Sequence, residues 1–237
     1  MSVAGLRVVS LVPSSTETLL ALGANVIACT RFCEQPAILH VEGTKNPDVD
    51  SIVEMDPDLV VMDREENRRE DADAIERAGL TIHVSDVKTV SDALALVAEL
   101  ASLVGRESQF VEEMAVSPGP ALSRRSVFVP IWRRPWMSIG ASTYAGSLLD
   151  HLGLSLVTFG VAEAYPTFDL SDLRSRHPEL ILVPSEPYEF TDAHLEEIRA
   201  AVDDVVMVRV DGRDLFWWGI RTPAAMARLS AQLSGLV

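Results

Sequence analysis

Residues 91–116 read SDALALVAELASLVGRESQFVEEMAV. Apolar side chains recur at steps of three and four: Ala93, Leu96, Val97, Leu100, Leu103 and Val104, then Phe110, Val111 and Met114. That period is the mark of a helix with one buried stripe. Ser91 is placed to cap it, and Asp92 lies in the first turn, where the helix dipole favours a carboxylate. Gly105 is a point of division, because glycine in a helix interior costs up to about 1 kcal/mol relative to alanine. The Ser117-Pro118-Gly119-Pro120 run ends it. Uninterrupted, the helix would be about 39 Å long at 1.5 Å per residue, enough to join two lobes.

The two flanks of this helix share an order of landmarks. VVSLVPSSTETLLALGANVIAC and SIVEMDPDLVVM precede it; VFVPIWRRPWMSIGASTYAGSLLDHLGLSLVTFG and SDLRSRHPELILVPS follow it. Each runs strand, polar loop, helix ending Leu-Gly, strand, helix ending in Pro-acid, strand. Leu22-Gly23 answers Leu152-Gly153, and Pro57-Asp58 answers Pro178-Glu179. The spacing between the marks differs, so this is a repeat of architecture and not of sequence. Strands alternating with helices imply parallel sheets, with ligands at the carboxyl ends of the strands. The expected fold is therefore α/β, two lobes with parallel sheets joined by one long backbone helix. Its divisions are an N-terminal lobe over 1–88, the helix and its exit over 89–120, and a C-terminal lobe over 121–237.

In chain order, 7–12 reads as a strand and 13–22 as a helix capped by Ser14 or Ser15, with Glu17 spaced for a capping box. Strands are expected at 26–29, 59–62 and 81–84 before the central helix, and at 127–130, 155–158, 180–183 and 205–210 after it. Helices are expected at 50–55, up to Ala78, and at 144–152, 170–176 and 192–201, with Pro223 opening a last one. The 131–136 segment, IWRRPW, is expected to be a loop.

The 237 residues carry a formal charge of −15, which argues against non-specific binding to nucleic acid or to an anionic membrane. No apolar run approaches the roughly 20 residues of a membrane span. The opening MSVAGLR leads straight into a strand, without a charged and apolar leader or a lipobox cysteine. The expectation is a cytoplasmic product as written, or an extracytoplasmic one if the start site is misassigned. Cys29 and Cys33, the only cysteines, are expected to be reduced thiols; two cysteines alone make an incomplete zinc site.

Aromatic residues carry the functional signal. Trp132, Trp136, Trp217 and Trp218 all fall in expected strand-end loops of the second lobe, with Tyr165, Tyr188 and Phe190; Phe32 has the matching place in the first. Sharing one edge, they would line a cleft suited to a large, partly apolar ring system. Two other readings stay open: the tryptophans cap the core of the second lobe, or they form a protein–protein patch. Arg31, Arg133, Arg134 and Arg221 accompany them and suit carboxylate, phosphate or amide oxygens. Signals for an enzyme are missing: no G-x-S-x-G, Walker A, H-E-x-x-H or dinucleotide fingerprint. The five histidines are scattered, and Glu65, Glu66 and Glu163 have no partner that the sequence names.

RVVSLVPSSTETLLALG, GTKNPDVDSIVEMDPDLVV and HPELILVPSEPY together resemble the class III, helical-backbone substrate-binding proteins of ABC importers, and within them the cobalamin-binding branch. The resemblance covers essentially the whole chain. It implies two Rossmann-like lobes on a rigid helix, with no intrinsic cofactor and no turnover. It also implies a corrinoid held by Phe32, Gln35 and Lys45 from the first lobe and by Trp132, Trp136, Tyr165, Trp217 or Trp218, and Arg221 from the second. Members dock an ABC permease through one acid per lobe; Asp50 matches the first, and the second falls at Ser171, beside Asp172. The alternatives are a ferric-siderophore or heme ligand on the same fold, for which arginines would have to dominate over tryptophans, and a corrinoid-processing accessory role.

Overall fold

The computed structural model describes residues 5–106, 124–202 and 205–235. The chain divides into two compact units. The first takes Met1–Val87, Ser91–Ala115 and Trp218–Arg221; the second takes Lys88–Val90, Val116–Trp217 and Thr222–Val237.

In the first unit the order is β1 (Arg7–Ser10), α1 (Pro13–Ala21), β2 (Asn25–Cys29), a 3-10 turn (Arg31–Cys33), β3 (Leu39–His40), the hairpin β4 (Glu42–Gly43) and β5 (Asn46–Pro47), α2 (Val49–Met55), β6 (Leu59–Asp63), α3 (Arg69–Arg77) and β7 (Ile82–Ser85). Its five-stranded sheet, in the order β3-β2-β1-β6-β7, is parallel throughout. All five residues of β6 are buried, as its unbroken apolar run requires. Val9, Leu11, Ile52, Val60, Met62 and Ile75 form the core.

Helix α4 (Val90–Leu103) buries Ala93, Leu96, Val97 and Leu100, the face marked by the apolar stripe. It starts one residue before Ser91, so Ser91 lies in its first turn and is not the cap. It ends by a mechanism the sequence pointed to. Arg106 N–H reaches Ala101 O at 2.7 Å and Gly105 N–H reaches Ser102 O at 3.1 Å, with Gly105 at φ 68°. This is a Schellman stop, which needs a residue free to adopt positive φ. The described helix is thus about 21 Å long, and the expected continuation through Phe110, Val111 and Met114 lies outside the described residues.

The second unit follows the order β8 (Arg125–Phe128), β9 (Pro130–Trp132), β10 (Trp136–Ser138), α5 (Tyr144–His151), β11 (Leu154–Leu156), β12 (Thr167–Phe168), α6 (Leu170–Ser175), β13 (Leu180–Pro184), α7 (Asp192–Ala201), β14 (Val206–Val210), α8 (Gly212–Phe216) and α9 (Thr222–Ser234). The sheet β11-β8-β13-β14 is again all parallel. A smaller antiparallel sheet, β12-β10-β9, stands beside it. Phe128, Leu173, Ile181, Val183, Phe190 and Ile198 centre the core.

The repeated landmarks do the same work in both units. Leu22 and Leu152 are C-caps, followed by Gly23 at φ 71° and Gly153 at φ 85°. Asp58 donates its backbone N–H to Arg7 O at 2.9 Å and takes the Arg7 N–H on its carboxylate at 2.7 Å. Glu179 does the same with Ser126, its carboxylate 2.8 Å from the Ser126 nitrogen. Each acid pins the start of a central strand, which accounts for the Pro-acid mark.

Three expectations need correction. Neither Ser14 nor Ser15 caps α1: Pro13 occupies its first turn, Val12 is the N-cap without a side-chain bond, and both serines are buried. Residues 131–136 are not a plain loop, because Trp132 and Trp136 sit on the paired strands β9 and β10, with Met137 opposite Trp132. Helix α2 starts at Val49, with Asp48 as its N-cap accepting from Ser51 N–H at 3.1 Å. Among the described residues no helix is long and apolar enough to cross a membrane.

Candidate ligand-binding faces

In the first unit, the segments at the carboxyl ends of β1, β2 and β6 are fixed by polar side chains. Asn67 is the link. Its Oδ1 accepts from Asp63 N–H at 2.8 Å, and its Nδ2 donates to Leu11 O at 3.2 Å and Thr44 O at 2.9 Å. Asp63, itself buried, accepts from Ser85 Oγ at 2.7 Å and from the N–H of Glu65 at 2.8 Å. Lys45, expected to meet ligand, has its Nζ donating to the carbonyl of Glu65. Phe32 is half exposed, with the Arg31 guanidinium 4.9 Å from its ring centroid. A Cβ on Gly43 would stand 3.2 Å from the Phe32 ring, so the bare backbone of β4 is what seats it. Gln35 is partly buried, and its carbonyl accepts from Ile38 N–H at 3.0 Å.

Burial raises the Asp63 carboxyl above its ordinary 3.8, against the lowering effect of the Ser85 and backbone hydrogen bonds. A raised acid in the folded state means that folding disfavours its charge. The penalty is fully present above the folded value and fades as pH falls through it towards 3.8. Asp63→Asn, which keeps an acceptor for the Glu65 amide, is therefore expected to be at least as stable as the wild type at neutral pH. Its advantage should shrink in urea melts as the pH is lowered through that window. An advantage that grows on acidification would contradict the assignment.

Trp218–Arg221 also belongs to the first unit and rests on α1. Arg221 forks onto Glu17 with Nε and Nη2 contacts of 2.9 and 2.7 Å, and Ile220 N–H reaches Thr18 Oγ1 at 3.2 Å. Gly219, at φ 97°, passes so close that a Cβ would lie 2.3 Å from Thr18 Oγ1. Glu17 therefore serves this ion pair and not the capping box expected of it. Trp218 is 6% exposed.

The second unit presents an aromatic surface built on the β9–β10 hairpin. Trp132 meets Tyr188 edge-on at 5.1 Å, Trp136 stacks on Phe190 at 5.9 Å with the planes 5° apart, and Tyr188 touches Phe190 at 4.8 Å. Phe190 is buried and Trp136 packs against the core, so part of this set does cap the core. Trp132 and Tyr165 remain 46% and 40% exposed. Trp217, the C-cap of α8, donates its Nε1–H to Glu186 Oε1 at 2.8 Å. The Glu186 backbone in turn crosses Gly212, where a Cβ would come within 2.7 Å of the Glu186 nitrogen.

One aromatic escaped the sequence reading. Phe159, in the turn after β11, is 77% exposed, the most exposed large apolar side chain among the described residues. Its loop is firmly held: Thr158 Oγ1 donates to Ile139 O at 2.6 Å, Gly140 N–H to Ala164 O at 2.7 Å, and Ser138 N–H to Pro166 O at 3.0 Å. The signal was present, since Val157-Thr158-Phe159-Gly160 follows a strand just as Thr30-Arg31-Phe32 does.

Three of the four loop arginines are committed within their own units, and Arg134 is exposed. Arg31 pairs with Glu42 at 3.1 Å, Arg221 with Glu17, and Arg133 with Glu197 at 3.0 Å through Nε. The Arg133 guanidinium holds the Glu197 carboxyl below its ordinary range, chiefly by hydrogen bonding. Among the described residues no group of three or more His, Cys, Asp or Glu side chains could hold a metal ion. Asp50 and Asp172 are exposed and lie in the first turns of α2 and α6; Ser171 takes in α6 the place that Asp50 takes in α2.

Both units are α/β with a parallel sheet, and each leaves aromatic side chains exposed: Phe32 in the first, and Trp132, Phe159 and Tyr165 in the second. The chain belongs to the periplasmic binding protein family, whose model matches residues 8–201. That family is non-catalytic, and the chain is a binding protein, not an enzyme. Its fold is that of solved class III receptors. It is similar to the periplasmic heme-binding protein HutB of Vibrio cholerae, with a TM-score of 0.81 and 18% identity over 96% of this chain and 98% of that one. It is similar to the periplasmic heme-binding protein BhuT in complex with two hemes, at 0.79 and 18%, over 97% and 98%. It is also similar to the periplasmic vitamin B12-binding protein BtuF of Vibrio cholerae, at 0.72 and 17%, over 97% of each chain. No curated protein matches it in sequence.

Proposed function

We propose that this chain binds a cobalamin-like corrinoid without converting it, as the substrate-binding component of an ABC importer or as a relative of one. The observation that carries the reading is the exposed aromatic set of Trp132, Phe159 and Tyr165 in the second unit, while Arg31, Arg133 and Arg221 are held in ion pairs. A corrinoid offers a broad apolar ring edged with neutral amides and brings its own metal ligands. It needs flat packing surfaces and few free cations. The sequence resemblance adds Phe32, Gln35, Lys45, Trp218 and Arg221 from the first unit, and Trp136 and Trp217 from the second, to the proposed ligand contacts. Heme is the second reading, favoured by the likeness to HutB and BhuT. Tyr165 is an exposed side chain able to meet its iron. A ferric siderophore asks for uncompensated cations; Arg31, Arg133 and Arg221 are paired, which leaves the exposed Arg134 as the candidate for that ligand.

Titration of tryptophan fluorescence with cyanocobalamin, heme and a ferric siderophore, corrected for inner-filter absorption, tests the reading. Saturable quenching by cyanocobalamin that heme does not displace is expected. Saturation by the siderophore alone would overturn the ligand.

In the same reading, Asp50 and Asp172 present charge to permease arginines. Asp50→Lys is then expected to leave ligand affinity unchanged while abolishing stimulation of the cognate permease's ATPase. A loss of ligand affinity would place Asp50 at the ligand instead.

A further inference from the structure

Glu186 is not among the ligand contacts, yet it touches both ends of the helix that leads into Trp217. Helix α8 is five residues long, opened by Gly212 and closed by Trp217 as its C-cap. At the opening end, Gly212 N–H donates to Ser185 Oγ at 3.0 Å. A Cβ on Gly212 would stand 2.7 Å from the Glu186 nitrogen and 2.8 Å from its carbonyl oxygen, so the two backbones lie against each other. Ser185 N–H in turn donates to Val210 O at 3.1 Å, beside the strand pair Pro184–Val210. At the closing end, Glu186 Oε1 accepts the Trp217 indole N–H at 2.8 Å. The carboxylate is therefore presented by a main chain fixed at the end of β13, and one short helix sets its distance from the donor. The same loop holds two further tryptophans at alternate residues. Tyr188 meets Trp132 at 5.1 Å and Phe190 stacks on Trp136 at 5.9 Å. All of these residues belong to the second unit.

We infer that Glu186 is a positioning residue of the ligand surface: through Oε1 it fixes the plane of the Trp217 indole, so that the ring meets ligand already oriented. An indole N–H donates and never accepts, so an immobile carboxylate beside it selects one orientation of the ring. A tryptophan free to change rotamer loses that freedom on binding and lowers affinity, whereas one already held does not. The consequence for affinity rests on the corrinoid reading, which makes Trp217 a ligand contact; the orientation rests only on the bonds around α8. Glu186 is also the member of the loop that can be altered without opening the core, because it is partly exposed while Phe190 is buried. Glutamine at 186 keeps an acceptor at the same reach, and alanine removes it.

The test compares the full chain with Glu186→Ala and Glu186→Gln by two readouts. The first is the set of indole N–H resonances in proton–nitrogen correlation spectra without ligand, the Trp217 signal being assigned by its loss in Trp217→Phe. In Glu186→Ala that signal is expected to move and to exchange faster with water while the other tryptophan signals stay in place; Glu186→Gln should restore slow exchange. The second readout is affinity for cyanocobalamin, expected to fall about tenfold in Glu186→Ala and to stay within about twofold of wild type in Glu186→Gln. An unmoved Trp217 signal in Glu186→Ala, or a shift of all the tryptophan signals together, would overturn the positioning role. So would a released Trp217 with wild-type affinity for cyanocobalamin. If wild type itself does not bind cyanocobalamin, the corrinoid reading fails, and the indole readout decides the orientation by itself.

Discussion

Gly140→Ala is expected to destabilise the second unit by about 1–3 kcal/mol, the usual range for forcing atoms into filled space. The added Cβ would stand 2.3 Å from the carbonyl oxygen of Glu163 and 3.2 Å from that of Ala164. Both are backbone atoms, so no side-chain rotation relieves the contact, and the Gly140–Ala164 hydrogen bond of 2.7 Å has to open. Because that bond anchors the loop carrying Phe159 and Tyr165, ligand affinity should fall with stability, by about tenfold or more, ~1.4 kcal/mol. Urea denaturation and a ligand titration on the same preparation check both parts. Wild-type stability would show that the loop is not held as described. Reduced stability with full affinity would show that the loop lies away from the ligand.

The opposite signature is expected for the exposed aromatics. Phe159→Ala with Trp132→Ala should weaken corrinoid binding by about 30-fold per residue, ~2 kcal/mol each, the scale of aromatic hot spots. Phe159 has little native packing to lose. Trp132, 46% exposed, forfeits an edge contact with Tyr188 worth about 0.5–1.5 kcal/mol. Thermal unfolding should therefore move little while affinity collapses. Unchanged affinity in the double variant would remove the second-unit surface from the site.

The alternation of strands and helices was legible because β6 and β13 carry unbroken apolar runs and two helices end in their own Leu-Gly stop. Leu22-Gly23 and Leu152-Gly153 read correctly, since a glycine after an apolar helix answers a definite backbone need. Pro57-Asp58 and Pro178-Glu179 read as a repeat, although their purpose, binding the backbone of a strand distant in sequence, was not visible. The β9–β10 hairpin was missed because strands of three residues around Arg133-Arg134-Pro135 carry too little periodicity to register. Glu17 looked like a local capping residue because a one-dimensional reading cannot see Arg221. The same blindness hid the Asn67 bonds to Leu11 and Thr44 and the burial of Trp218, and it let a lone Phe159 pass unremarked among small residues.

Equilibrium dialysis of the purified chain against cyanocobalamin, with recovery and chemical analysis of what is retained, tests the central claim most directly. Saturable retention of one chemically unchanged corrinoid per chain, lost in the Phe159 and Trp132 double variant, is the predicted result. Failure to retain cyanocobalamin at saturating concentration, or recovery of an altered corrinoid, would contradict it.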